Sequence, residues 1–183
     1  MKVYSDYINN LSGNILLGCD GFVDETYVIV EERKSLTEFT AMNKLKSFGE
    51  LLVERSDGGV GLELVPKRRC EGGFAINSGR IAAILGLKPR LPGLFGKPAL
   101  DPAFVEFQDI CELHSLGDPA LTIALEFDDG KVLMSNIKAV SNLTWSDFEK
   151  FFSPEQLKEL FTGVDILGLG YWSLTADFDG FFS

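Results

Sequence analysis

The chain has 183 residues, enough for one domain of ordinary size and short for two. Its 17 Lys and Arg against 27 Asp and Glu leave a net charge of −10, which excludes a nucleic-acid partner because there is no positive field to release phosphate counterions. A hydrophobic share of 45% beside 24% charged residues is a folded, globular composition and not a disordered one.

In chain order, Asn14-Ile-Leu-Leu-Gly-Cys-Asp20 is a short apolar run that breaks at glycine and acid, the pattern of a strand buried on both faces in a parallel sheet. Thr26-Tyr-Val-Ile-Val30 is β-branched and aromatic and predicts a second strand. From Glu38 to Val53 the residues Phe39, Met42, Leu45, Phe48 and Leu52 recur every three or four positions, predicting an amphipathic helix that stops at Ser56-Asp-Gly-Gly59. Leu62-Glu-Leu-Val65 alternates as a strand. A helix follows from Gly72-Gly73 through Ile84, with Gly86 just past its end, and its small residues suit close packing on a sheet. Then come a strand near Leu91–Leu94 and a helix from Pro102 to Leu113. Leu121–Phe127 and Lys131–Met134 flank Asp128-Asp-Gly130 and predict a hairpin. Ser153-Pro-Glu-Gln156 is a capping box that starts a helix running to about Phe161, and Asp165–Gly170 reads as another buried strand. No linker, repeat or low-complexity tract divides residues 1–183, so they read as a single folding unit, of class α/β with an added β-element.

Several chemistries drop out. Cys19, Cys70 and Cys111 are odd in number and scattered, and form neither a disulfide framework nor a zinc motif. The lone His114 removes every His-pair metal motif and most His-based triads. Gly93-Leu-Phe-Gly-Lys97 resembles the end of a phosphate loop, but Leu91 stands where the first glycine belongs and Pro98 replaces the magnesium-binding hydroxyl. After the first strand, Gly18-Cys-Asp-Gly21 lacks the dinucleotide fingerprint. Asp177-Phe-Asp-Gly180 reads as a capped loop. No apolar run approaches the roughly 18 residues of a membrane span, and no leader pattern opens the chain, so a soluble cytoplasmic protein is expected.

Two constellations remain. Asp20 and Asp24 lie just past the carboxyl end of the first strand, where open α/β sheets bind ligands, and carboxylates there suit the vicinal hydroxyls of polyols. The competing reading of either acid is a turn or a helix cap. Gly72-Gly73-Phe-Ala-Ile-Asn77 opens a helix with two glycines that permit close approach, and free amides there would offer donors. Ordinary turn chemistry is the alternative.

Taken together and in order, Gly18…Asp24, then Gly72-Gly73…Asn77…Leu85-Gly86, then Gly93…Gly96-Lys97 with Asp101, then Asp129-Gly130-Lys131, then Asp165–Gly170, resemble the ribokinase, or phosphofructokinase-B type, family of carbohydrate kinases. The likeness runs from about residue 14 to 175. It implies a Rossmann-like three-layer α/β/α domain with a small β-sheet lid, whose strands fall within 26–31, 61–68 and 120–137. It also implies that Asp24, Gly72, Gly73 and Asn77 bind the hydroxyls of a sugar or nucleoside in a single pocket. Asp20 competes with Asp24, which is favoured, because the spacing from Gly18 to Asp24 is one residue longer than the family's. In the complete family member ATP and magnesium serve phosphoryl transfer. The family's second half, with its Gly-Ala-Gly-Asp motif, is not in this sequence, so the resemblance implies a chain truncated before the nucleotide-binding half. Such a chain is expected to bind no cofactor and to hold no catalytic or metal-binding residue by itself. The rival expectation is a non-catalytic sugar-binding or dimerisation module, and a homodimer through the lid is expected. An unrelated nucleotide-binding α/β protein would need a phosphate loop that the sequence lacks.

Overall fold

The structure, a computed structural model, describes residues 11–181. Its first sheet is built from β1 (Asn14–Gly18), β5 (Lys88–Gly93), β6 (Glu112–Ser115) and β9 (Ile166–Leu169), in the order β6-β5-β1-β9. All three pairings are parallel, with Leu16 opposite both Arg90 and Leu167. Side chains alternate across β1 as strand geometry requires. Ile15 and Leu17 enter a core with Ala75, Ile76 and Ala82 of helix α2 (Phe74–Ile84), while Leu16 enters a second core with Phe148 of α4 (Trp145–Phe151) and Leu160 of α5 (Pro154–Phe161). Helices therefore cover both faces, giving the expected three layers. Burial on both sides is why β1 is apolar throughout.

The second sheet holds β2 (Phe22–Arg33), β3 (Phe39–Ala41), β7 (Ala120–Phe127) and β8 (Gly130–Asn136) in the order β3-β2-β7-β8, with β4 (Leu64–Gly72) also paired to β2. Of the segments expected to form the small sheet, 26–30, 121–127 and 131–134 lie in β2, β7 and β8, while of 62–65 only Leu64 and Val65 lie in a strand, β4. The connection through Asp128 and Asp129 is too short for anything but an antiparallel hairpin. Ile29, Met42, Phe48, Leu125 and Phe127 form the core of this sheet with α1 (Leu45–Glu54), whose first amide is capped by Asp129 Oδ1 at 3.0 Å.

The chain divides into two compact units: residues 24–70 with 121–135, and the remainder. The division falls within β2, β4, β7 and β8, at strand positions that carry no linker signal, which is why the sequence reads as undivided.

Two expected helices change on folding. Residues 39–41 are strand β3, because Ser35 Oγ accepts the amides of Thr37 and Glu38, at 3.3 and 3.0 Å, and turns the chain back onto β2. Of the residues that set the helical spacing, Met42, Leu45 and Phe48 lie in or against the core of this sheet, while Phe39 lies under the Arg33 guanidinium, 5.1 Å from its ring centre. The helix expected over 102–113 is a 3₁₀ segment, Pro102–Asp109, started by Asp101 Oδ1 on the Ala103 amide at 2.9 Å, after which β6 begins. Strand β5 starts earlier than expected because it carries Pro89 and Pro92, residues that normally argue against an inner strand. Helices α3 (Lys138–Ser141) and α4 carry too few residues for a period to show.

Candidate functional site

Between β1 and β2 the chain turns through Cys19-Asp20-Gly21. Gly21 is required there, since a Cβ would fall 1.9 Å from the Leu94 carbonyl oxygen. Asp20 is 1% exposed. Its Oδ2 accepts the Phe74 amide at 2.6 Å and its Oδ1 accepts the Ala75 amide at 3.0 Å. These are two of the four amides that a helix start leaves unpaired, and the carboxylate also meets the positive end of α2. The N-cap residue, Gly73, has no side chain, so an acid 54 positions from Phe74 supplies the cap. Burial pushes the Asp20 carboxyl upward, against the opposing pull of the two amides. Burial, with the Asp20 charge beside it, also pushes the Cys19 thiol up to about 12.

The corner from β4 into α2 closes onto this carboxylate. Gly73 has φ +103°, and a Cβ on it would lie 2.1 Å from Asp20 Oδ2. Gly72 ends β4 and is buried. Asn77, one turn into α2 and exposed, donates from Nδ2 to the Gly73 carbonyl at 2.8 Å, and its own amide donates to the same oxygen at 3.3 Å. Asn77 Oδ1 has no hydrogen-bond partner among the described residues. Two of the donors expected to be free at the helix start, the Phe74 and Ala75 amides, are therefore engaged. Of the two candidate acids, Asp20 is the buried one and takes the capping role. The spacing of Gly18, Asp20 and Gly73 carries no signal for that contact, which only the tertiary fold creates.

Asp24 is the third residue of β2, half-buried, with no hydrogen-bond or ion-pair partner among the described residues. It belongs to the unit of residues 24–70 and 121–135, while Gly72, Gly73 and Asn77 belong to the other.

The Gly93–Lys97 loop is satisfied internally. Ser115 Oγ accepts the Phe95 amide at 3.1 Å, Gly117 O accepts the Gly96 amide at 2.8 Å, and Asp118 Oδ1 accepts the Lys97 amide at 3.0 Å. The Lys97 ammonium lies over the Phe151 ring, 4.9 Å from its centre. Amides and lysine so committed do not form a phosphate cradle. Among the described residues no three His, Cys, Asp or Glu side chains gather as a metal ion requires. The Gly93–Lys97 loop and the acids among the described residues thus do not fit ATP with magnesium.

A polar cleft of about 410 Å³ opens beside β5, β6 and α5, lined by Arg90, Glu112, His114 and Gln156 among others. Arg90 Nη1 donates to the carbonyls of Glu159, Leu160 and Thr162 at 3.1, 2.9 and 3.0 Å, closing the C-terminus of α5. The sequence reading had no means of finding this cap, because Arg90 sits in an apolar strand far from the helix it serves.

A model of the prokaryotic ketohexokinase family matches residues 8–181. A ketohexokinase from Haloferax volcanii is 31% identical over 163 residues, covering 88% of this chain and 43% of its own length. A carbohydrate kinase from Agrobacterium tumefaciens superposes with TM-score 0.56 at 14% identity, over 86% of this chain and 45% of that one. A ribokinase from Arabidopsis thaliana, solved with ribose and ATP, gives 0.50 at 14% identity, over 87% and 45%. The chain spans less than half the length of these relatives, and among the described residues no helix is long and apolar enough to cross a membrane. With a family model matching nearly its whole length and the three-layer fold of the ribokinase-type carbohydrate kinases, the chain belongs to the prokaryotic ketohexokinase family.

Proposed function

We propose that the chain is the substrate-binding part of a cytoplasmic carbohydrate kinase that, in complete form, transfers the γ-phosphate of ATP to a sugar hydroxyl. A ketohexose is the sugar that the family points to. The observation that carries this reading is the Gly72-Gly73 corner. It is a strand-to-helix turn of two glycines, and Asn77, exposed one turn into the helix, leaves its Oδ1 without a partner among the described residues. Asp24 holds further hydroxyls, on the strength of its match to the family's strand-following acid and its lack of any other partner. ATP and magnesium belong to the complete enzyme. This chain's own part is to bind and orient the sugar.

Calorimetric titration with fructose tests the reading. Wild-type chain should bind, and Asp24→Ala and Asn77→Ala should each weaken binding by on the order of 10- to 100-fold, the consequence of about 1–3 kcal/mol of lost hydrogen bonding to a charged or buried partner. No binding by the folded wild type, or binding indifferent to both substitutions, overturns it. The rival, a sugar-binding or dimerisation module without catalysis, is favoured by the internally satisfied Gly93–Lys97 loop. ATP consumption by the complete protein in the presence of fructose separates the two.

A further inference from the structure

We propose that the cleft beside β5, β6 and α5 is a second binding site, suited to a small neutral polyol and separate from the Gly72-Gly73 corner. The separation follows from the sheet. Arg90 stands in register with Leu16, the residue that β1 turns toward α4 and α5, and Glu112 stands opposite Arg90 on the next strand. Helix α2, which the corner opens, packs on the other face of the sheet against Ile15 and Leu17. No residue lining the cleft belongs to the corner.

The polar side chains here have one arm held by the protein and another left over. Arg90 gives Nη1 to the three carbonyls at the end of α5, while Nη2 bonds to nothing among the described residues. Its Nε lies 3.7 Å from Glu112 Oε2, and Glu112 Oε1 accepts from His114 Nε2 at 3.0 Å. With Nε2 donating, Nδ1 of the neutral imidazole is an acceptor. The His114 ring is also fixed edge-on against Phe152, with centres 5.3 Å apart. Gln156 commits Oε1 to the Ser153 amide at 2.8 Å and keeps both hydrogens of Nε2. Glu159, the other acid of the lining, has a carboxylate with no partner among the described residues. These groups are oriented before a ligand arrives, which lowers the ordering cost of binding. The volume of about 410 Å³ falls in the range of small-molecule sites, and buried Phe152 adds apolar surface for a carbon skeleton. The mixture of groups selects the ligand. An anion would bond to Arg90 Nη2 and the Gln156 amide but meet the two carboxylates as like charges. A cation would be drawn to the carboxylates but face those donors with nothing to accept from them. A hydroxyl is uncharged and both donates and accepts, so a compound with several of them can use both sets.

Three hexose probes that differ in charge provide the test: glucose, glucosamine and glucuronate. In amide-resolved NMR of the full chain, glucose should shift the His114, Gln156 and Leu160 signals saturably, and should still do so in Asp24→Ala and Asn77→Ala. Glucosamine and glucuronate should bind there at least tenfold more weakly. His114→Phe keeps a ring against Phe152 without Nδ1, and Gln156→Glu keeps the acceptor that caps α5 without the two hydrogens. Each should weaken glucose binding by about tenfold, the loss of one hydrogen bond. Shifts that never saturate, a charged sugar binding as tightly as glucose, or folded His114→Phe and Gln156→Glu that bind glucose like the wild type each overturn the proposal. Loss of these shifts in Asp24→Ala or Asn77→Ala overturns it as well, by assigning the signal to the corner. A corner that binds no fructose defeats the proposed function and leaves this result standing.

Discussion

Gly73 is the residue on which the corner turns. Its φ of +103° is one that L side chains rarely adopt, and the space a Cβ needs belongs to Asp20 Oδ2. Gly73→Ala should therefore destabilise the chain by about 2 kcal/mol or more, read as a lowered urea midpoint with an unchanged slope. An unchanged midpoint would show that the corner tolerates a side chain and is not built as described. Asp147 supplies a pH-dependent counterpart. Partial burial opposes its charge, but the Thr144 amide and hydroxyl donate to Oδ2 at 3.0 and 2.9 Å and Lys150 donates to Oδ1 at 3.1 Å, so its carboxyl is held below the ordinary Asp value. An acid whose folded pKa is depressed stabilises fully above its unfolded pKa and loses that contribution as pH falls through the folded one. The urea midpoint of the wild type should exceed that of Asp147→Asn at neutral pH, and the two should converge on acidification through that window. A gap independent of pH would sink this account.

Among the elements, α5 is tied at both ends by devices of different legibility. At its start Ser153 Oγ accepts the Gln156 amide at 3.2 Å, Gln156 Oε1 accepts the Ser153 amide at 2.8 Å, and Pro154 occupies the first turn. These partners are three residues apart and visible in the sequence. At its end Arg90, some 70 positions away, gathers three carbonyls, and nothing local announces it. Ser153→Ala should cost about 1 kcal/mol by loss of the cap. Arg90→Ala should cost about 1–3 kcal/mol, since it strips charge-assisted bonds from carbonyls that include that of the buried Leu160. Thermal unfolding ranks the two, and a larger effect for Ser153→Ala would contradict the geometry. The expected helix at Phe39 shows the same limit: periodicity picks out Met42 for the core, and the turn at Ser35 makes the residues just before it a strand.

For the molecule as a whole, β9 pairs with β1 along one edge only among the described residues, and Ile166 and Leu167 are 52% and 50% exposed. In the other sheet β8 is an outer strand, with Leu133 65% exposed. Apolar outer strands are templates for association. The purified chain should self-associate with rising concentration in sedimentation experiments. Ile166→Lys should reduce this if the β9 edge is responsible, and Leu133→Lys should do so if the small sheet mediates a homodimer. A chain that stays monomeric at the highest attainable concentration would overturn both.

The sequence by itself determined what short-range chemistry can encode. The double burial of β1 lies in an unbroken apolar run, the β7–β8 hairpin in Asp128-Asp-Gly130, and the α5 start in Ser153–Gln156. The family likeness lies in the order of Gly18, Gly72-Gly73, Asn77 and Asp165–Gly170, which the match over residues 8–181 bears out. Tertiary structure alone decided what the two acids after β1 do. Asp20 and Asp24 are alike in type and close in sequence, but β1 carries Asp20 under the start of α2, where two unpaired amides bind it, while Asp24 enters β2 with no such claim on it. A cap made across 54 residues leaves no local trace, because the contact depends on how two elements pack and not on the composition of either.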